Sequence, residues 1–223
     1  MKKITLLAFF LIACLSNDFG QGLITCNSIT NKIKFSDVKL INENVFSDKK
    51  TSFNKLMRRD IKKINGIIDI IAKNGKHVKF YDKRKNSDDP DQHVYEYMGL
   101  MPKINVYLIK EMEYEWTNYI VINPNDGVYI KLWGMPYVSP DGTKLLSSAA
   151  NLVFQPMPNG VQIISVKQGV FKCLVEYTAD GWEPSAAAWK DNTSIYIKKR
   201  VPYVLTNTKK DIISYAIMTF VSK

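Results

Sequence analysis

The chain of 223 residues is 46% apolar and 12% aromatic, enough for one hydrophobic core and too short for two full domains beside a leader. Its formal charge of +10 is confined: residues 49–85 hold thirteen Lys or Arg against Asp60, Asp69 and Asp82, and the remainder sums to zero. Past Leu15 no stretch is long and apolar enough to cross a bilayer as a helix.

Met1-Lys2-Lys3 followed by the apolar run Ile4 to Leu15 has the charged start and short hydrophobic centre of a secretory signal. Two exits from this leader are open. Cleavage after Gly20 makes residues 1–20 a signal peptide and 21–223 a single domain starting at Gln21. Alternatively, Leu11-Ile12-Ala13-Cys14 resembles a bacterial lipobox, whose processing lipidates Cys14 and tethers the protein to a membrane. Either route exports the chain to the periplasm, outer membrane or extracellular space. Cys26 and Cys173 are then the two remaining cysteines, and an oxidising compartment favours their pairing as a disulfide.

Ile33-Lys34-Phe35 and Val38-Lys39-Leu40-Ile41 each suit a short strand. Residues 53–73 are expected to form an amphipathic helix: Met57, Ile61, Ile64, Ile68 and Ile71 recur at helical steps, Ser52 can cap the start, and Asn74-Gly75 supplies a left-handed stop. Gly66 costs such a helix roughly 1 kcal/mol relative to Ala. Its basic side, with Lys55, Arg59 and Lys62, suits an anionic surface; its isoleucine stripe suits covering a sheet, and the stripe lacks interfacial aromatics.

His77 to Tyr81 reads as a strand, and Asp82 to Gln92 as a loop in which the basic run Lys83-Arg84-Lys85 precedes Asp88-Asp89-Pro90-Asp91. The aspartates lack the alternating ligand spacing of a helix-loop-helix calcium site, so no metal is expected. From His93 onward at least eight strand-length runs follow, rich in β-branched and aromatic residues. They are punctuated by Asn123-Pro124-Asn125-Asp126-Gly127, Lys167-Gln168-Gly169 and two Asp-centred turns, Ser139-Pro140-Asp141-Gly142 and Trp189-Lys190-Asp191-Asn192. The fold class is therefore mainly β, an antiparallel sheet system of propeller-blade-like, sandwich or open-barrel type, with the one helix in its N-terminal half.

Ser-Pro-Asp-Gly resembles the turn phrase of β-propeller blades, and Trp189 to Asn192 stands about one blade-length on. The resemblance covers about two blades, residues 119–198; counting residues argues against a closed ring of four four-stranded blades and favours a propeller-like unit embedded in another β fold. The order of Tyr95 to Gly99, Tyr119 to Gly127, Leu132 to Gly142, Asn159 to Ile164 and Trp182 to Trp189 is similar to a family of small exported bacterial proteins of unassigned function, Bacteroidetes-like in its leader. That resemblance implies export and β architecture and brings no catalytic residues.

The sequence offers no catalytic set. There is no Gly-x-Ser-x-Gly elbow, phosphate-cradling glycine loop or zinc-spaced ligand group, and no cofactor is expected. Glu111, Glu113 and Glu115 alternate in the manner of a solvated strand face. His93 is the residue around which a hydrolase would be built, given an acidic or hydroxyl partner brought close by folding. Trp116, Trp133, Trp182, Trp189 and Tyr137 are the candidate ligand-binding aromatics, and Lys55, Arg59, Lys62, Lys83, Arg84 and Lys85 the candidate basic patch. Export argues against nucleic acid. The expectation is a non-enzymatic binding protein of the cell envelope, inhibitor- or immunity-like, with an unknown protein or glycan partner.

Overall fold

The computed structural model describes residues 23–24, 26, 33–46, 61–83, 91–154 and 157–220. They form four small sheets in succession. Sheet I contains β3 (Lys63–Ile64), β4 (Ile67–Ile71) and β5 (His77–Tyr81). Sheet II is the meander β6 (His93–Met101), β7 (Val106–Glu113), β8 (Thr117–Ile122) and β9 (Tyr129–Leu132), with β1 (Leu23–Ile24) beside β9 as a parallel partner. Sheet III holds β10 (Tyr137–Val138), β11 (Lys144–Ala149), β12 (Gly160–Lys167) and β13 (Val170–Thr178). Sheet IV holds β14 (Glu183–Trp189), β15 (Ser194–Val201) and β16 (Ile212–Phe220), extended by β2 (Ile33–Val38), which pairs antiparallel with β16.

Period-two alternation decides how these sheets pack. In β7, Val106 and Leu108 face sheet III while Tyr107 and Ile109 face sheet I, and all four are buried. In β11 and β12, Leu145 and Ile164 join sheet II while Leu146 and Ile163 join sheet IV. Sheets II and III are thus covered on both faces, at roughly 1.5–3 kcal/mol for each fully buried Val, Leu or Ile. Among the described residues no core cluster joins sheet I to sheet IV. The chain supplies four sheets, where the turn resemblance covered about two blades. Tight hairpins use little chain, sheet I has only three strands, and sheet IV borrows β2.

The helix expected over residues 53–73 is not formed in its described part, residues 61–73; residues 53–60 lie outside the described residues. Asn65 and Gly66 both take positive φ, 48° and 76°, and close a two-residue hairpin between β3 and β4. The isoleucines then sort by strand period: Ile68 and Ile70 are buried, whereas Ile64 and Ile71 are exposed. A helical stripe would have buried Ile64, Ile68 and Ile71 together. Isoleucines at both spacings satisfy either pattern, and the Asn-Gly turn together with β-branching settles it.

Cys26 and Cys173 form a disulfide, with Cα atoms 5.4 Å apart and 147 residues apart in sequence. It ties the chain just after β1 to β13, and so fastens the N-terminal segment across sheets II and III.

The hairpins β4–β5, β8–β9, β10–β11 and β14–β15 are built alike. In each an Asn or Asp side chain accepts the backbone N–H two residues on: Asn74 from Lys76, Asp126 from Val128, Asp141 from Thr143 and Asp191 from Thr193, at 2.8–3.0 Å. These turns lie at one end of the molecule and touch their neighbours. Lys73 N donates to Pro124 O, and Lys103 Nζ to the carbonyls of Ser139 and Pro140. The connections between sheets lie at the opposite end, called here the loop end.

Candidate functional site

A cleft of about 400 Å³ opens at the loop end, where sheets II and III meet β1, and it draws side chains from both faces of sheet II. Strands with antiparallel neighbours deliver its walls. The β7–β8 turn brings Glu113, Trp116 and Asn118; β9 and its exit bring Lys131 and Trp133; β12 and β13 bring Gln162 and Glu176. Leu23, Ile24 and Cys26 form a further wall, which the disulfide holds in place.

Two polar relays organise the lining. On one side Gln162 accepts from Trp133 N through Oε1 at 2.9 Å and donates through Nε2 to Glu176 at 3.1 Å. This fixes the backbone of Trp133 and the Glu176 carboxylate together. On the other side Asn118 Nδ2 donates to Glu113 Oε1 at 2.8 Å, and Lys131 Nζ lies 2.9 Å from that oxygen and 2.7 Å from Glu111 Oε2. Tyr95 OH donates to Glu111 Oε1 at 2.9 Å, and His93 Nδ1 lies 3.3 Å from the same atom.

The alternating glutamates are therefore no uniformly solvated face. Glu111 is buried and Glu113 nearly so, because β9 brings Lys131 across from two strands away. Burial pushes the Glu111 carboxyl up, but hydrogen bonding and charge from Lys131, with help from Tyr95 and His93, outweigh it and hold the group below its ordinary value. Burial lowers Lys131, and its two carboxylates more than restore it. The Tyr95 phenol is raised far above its usual range, first by burial and then by the Glu111 charge. His93, Glu111 and Glu113 have donor atoms within 4.8 Å of one another, yet the Lys131 ammonium already stands where a cation would neutralise the two carboxylates.

The five aromatic candidates separate. Trp116 and Trp133 line the cleft. Trp189 packs between sheets III and IV, edge-on to Phe220, with Nε1 donating to Tyr137 O at 2.9 Å; Tyr137 packs against the same core. Trp182 meets Tyr177 and Phe35 at ring separations of 6.2 and 6.3 Å, with Lys199 Nζ 4.9 Å from its ring centre. Of the basic patch, Lys62 is exposed and Lys83 pairs with Asp91 at 2.9 Å, while Lys55, Arg59, Arg84 and Lys85 lie outside the described residues, as does Cys14.

Sequence reasoning read Glu113 as part of a solvated strand face and passed over Asn118, Lys131, Gln162 and Glu176. The one signal available was a lysine on the strand after an Asp-Gly hairpin, placed where it can meet alternating glutamates. No protein-family model, curated protein or solved structure matches this chain, so the cleft's geometry alone carries the functional reading.

Proposed function

We propose that this is an exported binding protein, acting without a catalytic set of its own, whose ligand seats in the loop-end cleft beside β1. The observation that carries the reading is the meeting of Trp116 and Trp133 with the fixed Gln162–Glu176 and Asn118–Glu113–Lys131 relays in one cleft. Its volume of about 400 Å³ falls in the ordinary range of small-ligand sites. Indole faces accept the C–H face of a pyranose ring, and planar amides and carboxylates accept its hydroxyl rim, so a saccharide fits the lining's chemistry. Pairing of the only two cysteines past residue 20 fits an oxidising, extracytoplasmic setting. An inhibitor-type complex would fill the same cleft with a partner's side chain.

Fluorescence titration with soluble cello-, xylo- and chito-oligosaccharides tests this. A saturable change in tryptophan emission is expected with at least one of them, lost in Trp116→Ala and Trp133→Ala and kept in Trp182→Phe. A flat response across the panel would count against the saccharide, and an identical response in Trp116→Ala and Trp133→Ala would count against the cleft.

The His93–Glu111 contact favours a second reading, a hydrolase built on His93. Against it, Glu111 is already engaged by Lys131 and Tyr95, and the Tyr95 hydroxyl is held protonated. Turnover of nitrophenyl ester or glycoside substrates that disappears in His93→Ala would establish it, and absence of turnover in the parent protein would end it.

A further inference from the structure

The two ends of the molecule differ in chemistry. Among the described residues the hairpin-end turns are mostly polar, with Ile71 and Val170 exposed there, whereas most of the exposed large apolar side chains sit at the loop end. Among the described residues the longest exposed apolar run in a connection there is the tip between β15 and β16, where Tyr203, Val204 and Leu205 form a 3-10 turn and are each more than half exposed. The tip is built and held. Tyr203 N donates to Asp211 Oδ1 at 2.9 Å, Leu205 N donates to Pro202 O, and Arg200 reaches Asp211 at 3.5 Å. Exposed Lys209 and Lys210 stand next to it in the chain, at the foot of β16. Phe154, in the β11–β12 connection of the neighbouring sheet, is 66% exposed at the same end.

A rigid apolar crown beside two ammonium groups matches one surface in particular. At a bilayer interface aliphatic and tyrosyl side chains enter the acyl boundary while lysines remain at the level of the phosphates. We propose that the loop end docks on an anionic phospholipid surface, with Tyr203, Val204 and Leu205 inserted and Lys209 and Lys210 against the headgroups. The described part of the basic stretch, residues 61–73, belongs to sheet I and is no part of this surface, which does not depend on what fills the cleft.

The test is co-sedimentation of the full chain with sucrose-loaded vesicles of phosphatidylcholine, with or without phosphatidylglycerol. Sedimentation with the mixed vesicles, weakening as salt is added, is expected. Val204→Asp/Leu205→Asp should lower partitioning more than tenfold. Lys209→Glu/Lys210→Glu should lower it on the order of tenfold and remove most of the salt dependence. All four positions are exposed, and an unchanged urea midpoint establishes that each variant folds. Equal sedimentation of parent and both variants overturns the proposal, as does failure of the parent to bind mixed vesicles. A concentration-dependent dimer that disappears in Val204→Asp/Leu205→Asp, without vesicle binding, overturns it in favour of a second copy of the chain.

Discussion

The backbone N–H of Asp141 donates to Asn192 Oδ1 at 3.0 Å, so two Asp-centred turns from separate sheets hold one another. Each turn is also closed from within. Asp141 Oδ1 accepts from Ser139 Oγ, Thr143 N and Thr143 Oγ1, and Asp191 accepts from Thr193 and Ser194. The turns thus set strand register inside sheets III and IV and, through Asn192, the position of one sheet against the other.

These contacts favour the ionised carboxylates. Burial raises Asp141, but the hydroxyl and amide donors of Ser139 and Thr143 outweigh it; for Asp191 the Ser194 hydroxyl is the largest influence, and the balance again falls well below the usual range. A depressed folded value means stability that is present above about pH 4, the unfolded value, and lost as pH falls through the folded one. Urea midpoints measured from neutral pH downward should decline below about pH 4 in the parent protein, and less steeply in Asp141→Asn/Asp191→Asn. Parallel curves would show that these turns do not carry the acid sensitivity. Asn192→Ala should cost about 1 kcal/mol at neutral pH, one hydrogen bond's worth.

Those turns and most strands were legible because Asp-Gly and β-branched runs carry their own local physics; β5 spans the run His77 to Tyr81 that the sequence suggests. Residues 61–73 were misread because the isoleucines satisfy two periods at once. Strand β14 was passed over because Pro184 and the run Ala186 to Ala188 carry little β preference, and it is tolerated as the edge of sheet IV. The cleft was hidden for a different reason. Its glutamates, lysine and tryptophans come from strands that meet only through register and packing, so nothing in the spacing told Trp133 in a cleft from Trp189 in a core.

Gly160 tests the packing of sheet III. Its φ is 151°, and a Cβ there would overlap the carbonyl oxygen of Tyr177 on β13, a backbone atom with no rotamer to yield. Gly160→Ala should therefore destabilise by about 3 kcal/mol or more. Gly181→Ala, at φ 70° with open space around it, should cost only about 1 kcal/mol. Thermal or urea unfolding of the two variants side by side makes the comparison; equal losses would mean that sheet III accommodates the added methyl.

Lys131 holds Glu111 ionised in a buried place, so removing it reverses that carboxyl's preference. In the parent, the depressed Glu111 contributes stability above its unfolded value near pH 4.3, lost as pH falls through the folded value. In Lys131→Met burial is opposed only by the Tyr95 hydroxyl and His93, and the group rises. The variant should lose about 2 kcal/mol at pH 7, less than the roughly 3–5 kcal/mol of a fully buried pair because the lysine is 42% exposed. The deficit should shrink toward pH 4 as the carboxyl protonates. A deficit constant from neutral to acid pH would place the lysine's contribution in packing of its stem instead.

The disulfide joins stability to the cleft. Cys26 lines the cleft, and among the described residues β1 pairs with β9 at two positions, so the bridge to Cys173 adds a covalent fastening to that wall. Closing a loop of this size is worth at most on the order of 5 kcal/mol in the chain-entropy account. Thiol titration in denaturant should find Cys26 and Cys173 unreactive before reduction and both reactive after it. Reduction, or Cys26→Ala/Cys173→Ala, should lower the urea midpoint and shift Trp116 and Trp133 emission to longer wavelength as the β1 wall loosens and water enters. Trp133→Phe should remove part of that spectral shift while leaving the loss of stability on reduction in place. If reduction destabilises the fold without altering tryptophan emission, β1 stays seated by its own contacts, and the bridge staples the fold without shaping the cleft.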